Sequence, residues 1–141
     1  MINNKNSFMV LLIILAIAII TMGCSVTTAN VDNAVMTTLN TDFDEEGRPV
    51  DMVANYNTNA TEFMVWAELH NAPDNTTITF VWYYEGDKIT STETSNEDLV
   101  ETSIIGTLTL PNDWPEGNYT VEIYIDDREQ PDQTVEFTVS D

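Results

Sequence analysis

One cysteine, Cys24, one histidine, His70, and 24 carboxylates are the groups in this chain to weigh first for chemistry. Covalent catalysis needs a nucleophile beside a base, and glycoside hydrolysis needs two carboxylates in a cleft that desolvates one of them. The sequence holds no nucleophile elbow, phosphate loop or zinc-ligand spacing. His70 stands beside a turn and reads as a surface residue. Carboxylate pairs abound, but a small sheet domain has little concavity in which to raise one acid's pKa. No catalytic residue is assigned, and the chain reads as a non-enzyme. Asp42-Phe-Asp-Glu-Glu-Gly47 imitates the opening of a calcium-binding EF-hand loop, yet its twelfth position is Val53, where a bidentate Glu is required.

Cys24 has a more informative neighbourhood. Phe8–Ile20 is thirteen consecutive apolar residues, preceded by the single cation Lys5 and followed by Thr21-Met22-Gly23-Cys24. That run fits a signal-peptide core and falls short of the roughly 20 residues needed to span a bilayer. Thr21-Met22-Gly23-Cys24 resembles the prokaryotic lipobox, although Thr21 stands where Leu is usual. The resemblance implies a diacylglycerol thioether on Cys24 and cleavage before it, with residues 1–23 as signal peptide. A membrane anchor outside the cytoplasm follows, on the cell membrane or outer envelope. The rival reading is a signal-anchor helix with an incidental Cys.

All the acidic residues lie beyond that segment, so the formal net charge of −20 becomes −21 once the part carrying Lys5 is removed. With Arg48, Lys88 and Arg128 as the remaining cations, no basic patch exists to displace phosphate counterions. Nucleic acid is therefore excluded as a partner. Anionic headgroups would repel the body, so membrane association must come from acyl chains. A carboxylate-rich, lysine-poor surface suits high salt, or serves only solubility. With the only Cys lipidated, no disulfide is available.

Residues 24–32 are small and polar and read as a flexible tether; the domain is placed at 33–141. From there the pattern has period two and never settles into period 3.6, which predicts an all-β domain. Expected strands are Val35–Leu39, Glu62–Leu69, Thr76–Tyr84, Lys88–Thr94, Ile104–Leu110, Tyr119–Ile125 and Thr134–Val139, with an edge strand near Val50–Val53 inside a long acidic loop. About seven short strands, each half apolar, fit a two-sheet antiparallel sandwich. Glu116-Gly-Asn-Tyr-Thr-Val121 resembles the tyrosine corner of immunoglobulin-like domains, with Trp82 where their core tryptophan packs and Val121 in place of a Cys. The segment Leu110–Val121 is similar to the closing hairpin of immunoglobulin-like domains in secreted prokaryotic lipoproteins that lack an assigned activity.

That topology implies three candidate surfaces. The turns holding Asp74 and Asp126, Asp127, Glu129 and Asp132 would share one end of the sandwich, where Ca2+ is the one cofactor considered; a solvated acidic turn is the alternative. On the outer face of one sheet, Val81 and Tyr83 would neighbour Tyr124, while Met64 and Trp66 would project from the other sheet. Such aromatics serve as contact or sugar-stacking platforms, or simply as cross-strand stabilisers. Trp114 is expected to cap the bottom of the core. Three glycosylation sequons, Asn59, Asn75 and Asn118, fall in expected loops. The chain thus reads as a non-catalytic binding, adhesion or accessory module of the cell envelope with a protein or glycan partner. The alternative is a calcium- or carbohydrate-binding extracellular module.

Overall fold

Alternation sets the inward face of most of the strands that carry the core. In the computed structural model, which describes residues 28–98, 102–110 and 112–141, eight strands follow in order: β1 (Asn30–Thr37), β2 (Asn55–Tyr56), β3 (Glu62–His70), β4 (Thr77–Tyr84), β5 (Asp87–Ser95), β6 (Ser103–Thr109), β7 (Gly117–Ile125) and β8 (Gln133–Val139). They form a three-stranded sheet, β1-β3-β6, facing a five-stranded sheet, β2-β8-β7-β4-β5. Every pairing is antiparallel except β2 with β8, which is parallel. Residues 1–27, with Cys24 and the apolar run, lie outside the described residues. Among the described residues no helix is long and apolar enough to cross a membrane.

Ile78, Phe80 and Trp82 of β4 and Tyr119, Val121, Ile123 and Ile125 of β7 meet Phe63, Val65, Ala67 and Leu69 of β3 in one core. Gly106 of β6 lies against Phe80 so closely that a Cβ there would stand 2.5 Å from the ring. Glu85 and Gly86, with φ of 49° and 87°, turn β4 into β5 in the doubly left-handed conformation that matches strand twist. β5 is polar and largely exposed, as suits an edge.

The tyrosine corner is present: the Tyr119 hydroxyl donates to the Pro115 carbonyl at 2.9 Å. Trp114 closes the core beneath it. Its ring stacks on Phe63 at 3.8 Å between centroids, and its Nε1–H donates to the Ala60 carbonyl at 2.7 Å.

Two boundaries differ from the sequence reading. Pairing starts at Asn30, inside the segment read as a tether, because Val31 is buried against Leu69 and β8-side groups hold its backbone. Asp132 Oδ2 accepts the Val31 N–H at 3.2 Å, and Gln133 Nε2 donates to the Val31 carbonyl at 3.0 Å. The edge strand forms at Asn55–Tyr56 rather than at Val50–Val53, where only the bridge Thr37 to Met52 occurs. Tyr56 explains the shift. Its ring packs on Phe63 and Phe137, and its hydroxyl donates to the Thr37 carbonyl. Burial raises that phenol to about 12.

Candidate functional site

At one end of the sandwich the start of β4 lies beside the end of β7, which brings the 71–76 and 126–132 turns together. The carboxylates there are engaged with backbone and with a cation. Asp126, itself at φ 49°, accepts the Thr77 N–H on Oδ1 at 2.9 Å. Asp132 caps Val31 and pairs with Arg128, whose Nη2 donates to the Ala29 carbonyl at 2.6 Å. Asp74, Asp127 and Glu129 are exposed. Among the described residues no three His, Cys, Asp or Glu side chains converge to hold a metal. In the Asp42–Gly47 loop the Arg48 guanidinium contacts both Asp44 and Glu46 at 3.1 Å. The Arg48 backbone N–H, then its side chain, holds Asp44 below the usual carboxylate range.

On the outer face of the five-stranded sheet, Tyr83 pairs with Thr120 and Val81 with Glu122, but Val81 is only 8% exposed and offers no open contact surface. Tyr124 donates to Glu122 Oε2 at 2.7 Å. The Glu122 carboxylate, then burial and its charge, raises the phenols of both Tyr83 and Tyr124 above their ordinary value. Both tyrosines are half-buried, with the Tyr124 hydroxyl held by Glu122.

Trp66 is not the exposed contact residue expected. It does project from the outer face of the three-stranded sheet, as alternation requires, but it is only 2% exposed. The segment between β1 and β2 folds back across it, held by Val53 N–H to the Met36 carbonyl and Val50 N–H to the Asp42 carbonyl, both at 3.0 Å. Between that segment and the sheet lies an open pocket of about 590 Å³, with Trp66, Val35, Val50 and Met52 supplying apolar walls and Asp44 and Arg48 a charged edge. Pro49, Asn33 and Ala34 complete it, the last two at a bulge in β1 where the register slips between Asp32 and Val35 and Asn33 takes φ 53°. The Trp66 Nε1–H is buried without a hydrogen-bond partner. Sequence reasoning missed Asp44, Arg48, Val50 and Met52 as a group; Val50 and Met52, apolar in an acidic loop, were the available signal.

His70 is half-exposed, with its Nε2 3.2 Å from Glu68 and 4.0 Å from Asp32. Asn59 and Asn75 are exposed in turns. Asn118 is not in a loop but in β7, where its N–H and its amide both donate to Glu85 Oε1.

Neither a protein-family model nor a curated protein matches the sequence. Among solved structures the chain is similar to an immunoglobulin-like protein from Pseudomonas aeruginosa, with a TM-score of 0.57 at 11% identity over 82% of this chain and 99% of that one. It also matches the C-terminal domain of Wzt, with a TM-score of 0.48 at 14% identity over 80% of this chain and 74% of that one. With its two facing sheets and tyrosine corner, the chain has the fold of an immunoglobulin-like β-sandwich.

Proposed function

We propose that this protein is a lipid-anchored module on the outer side of a membrane that works by binding and not by catalysis. The observation that carries this reading is Gly23-Cys24 closing a thirteen-residue apolar run, six residues ahead of the first strand of an immunoglobulin-like sandwich. Extended chain covers about 3.3 Å per residue, so the domain would sit within roughly 20 Å of its anchor. Its partner is a protein or glycan of the envelope. Fractionation of cells expressing the full chain tests the anchor: the wild type pellets with membranes, and Cys24→Ala is processed differently and leaves that fraction. Equal partition of both would refute lipidation.

A carbohydrate-binding reading is favoured by one specific observation, the Tyr83–Glu122–Tyr124 arrangement. Ring faces can stack on a sugar while the carboxylate accepts its hydroxyls. Oligosaccharides of the envelope would then perturb Tyr83 and Tyr124 resonances, and Tyr83→Ala would abolish the perturbation. Unperturbed tyrosines would end this reading.

A further inference from the structure

The pocket over Trp66 has walls that are apolar and a surround that is acidic. Trp66, Val35, Val50 and Met52 offer contact area but few polar groups. Apolar surface continues past the mouth: Val50 is 53% and Met52 67% exposed, and Ile105, directly opposite Trp66 in the β3–β6 register, is 43% exposed. Phe43, bridged to Pro49, adds another exposed ring on the same loop. Isolated exposed apolar residues are ordinary, but a pocket rimmed by several of them marks a contact surface.

Charge narrows the occupant. The Asp42–Asp51 loop carries Asp42, Asp44, Glu45, Glu46 and Asp51 against one cation. Arg48 is not free to attract an anion, since Asp44 and Glu46 already hold it. The whole chain, at −20, adds to the same field. A ligand for this site must therefore be apolar where it enters and cationic where it lies on the loop. The pocket is open, so a small molecule would be covered on one side only. A polypeptide can fill it with one side chain and lay its flanks along Phe43, Val50, Met52 and Ile105.

We propose that the pocket over Trp66 receives an apolar side chain of a partner polypeptide whose neighbouring residues are Lys or Arg. This rests on the reading of the domain as a binding module, but not on the lipid at Cys24 and not on the Tyr83 face.

The test uses the full chain in phosphatidylcholine nanodiscs, which carry no net charge, and a fluorescein-labelled peptide Gly-Lys-Lys-Phe-Lys-Lys-Gly followed by anisotropy. Replacing Phe by Gly in the peptide should weaken binding about tenfold or more, the change expected from withdrawing one buried aromatic side chain. Replacing the four Lys by Ser should weaken it by a similar factor, and added salt should reduce binding of the parent peptide. Met52→Lys, at an exposed position, should weaken the parent peptide about tenfold, and Val50→Lys should repeat the loss, with melting curves unchanged. Tyr83→Ala should leave it intact. Equal binding of the Gly peptide would reduce the interaction to charge alone and overturn the proposal. Equal binding of the Ser peptide, or indifference to both Met52→Lys and Val50→Lys, would overturn it as well. Cell fractionation and the Tyr83 resonances judge the binding-module reading separately, so the two failures are distinguishable.

Discussion

At the scale of single residues, the fold depends on positions where one group has no substitute. Gly106 is the sharpest case, because a methyl group there would meet three atoms of the Phe80 ring at 2.5 to 2.8 Å. Gly106→Ala should destabilise the domain by about 1–3 kcal/mol, as overpacking of a tight core does; urea unfolding measures it, and an unchanged midpoint would contradict the packing described. The Tyr119 hydroxyl is a milder case. Tyr119→Phe keeps the ring stacked on Phe137 and removes only the bond to Pro115, so a loss of about 0.5–1.5 kcal/mol is expected by the same measurement. Only one of the two was legible in the sequence. The corner motif names Tyr119 from sequence, whereas nothing local says that Gly106 faces an aromatic ring from the opposite sheet.

At the scale of elements, the period-two pattern placed β3, β4, β7 and β8 well because their inward faces are decided locally. Where it failed, a distant element decides. Ala29–Asp32 looks like tether until the β7–β8 turn supplies Arg128 and Asp132, and the start of β8 supplies Gln133, to hold its backbone. Trp66 looks exposed until residues some fifteen to thirty positions away fold over it. The clamp on β1 yields a prediction. Arg128→Ala leaves the Asp132 carboxylate, 9% exposed, without its cation and frees the Ala29 carbonyl. It should cost about 1–3 kcal/mol and speed amide exchange at Val31 ahead of the core. Exchange at Val31 that tracks global unfolding in both proteins would contradict the clamp.

At the scale of the whole molecule, charge and tyrosine burial set the response to solvent. Self-repulsion at −20 opposes the compact state, so melting temperature should rise with sodium chloride as screening shortens the field. Alkaline pH acts through the phenols. Burial raises Tyr56 and Tyr119 to about 12, while the same groups in the unfolded chain titrate near 10. The unfolded state loses those protons first, so their contribution is complete below about pH 10 and is withdrawn between pH 10 and about 12, at up to roughly 1.4 kcal/mol per unit for each tyrosine. Phenolate absorbance should appear together with loss of structure; full ionisation of Tyr56 and Tyr119 in a still-folded protein would contradict their burial.

The proposal that fatty chains on Cys24 hold an immunoglobulin-like binding domain at a membrane belongs to the same scale. Intact-mass measurement of the protein extracted from its native membranes tests it most directly. The expected result is a chain beginning at Cys24 with the added mass of a thioether-linked diacylglycerol. A polypeptide that keeps residues 1–23 and carries no lipid would contradict it.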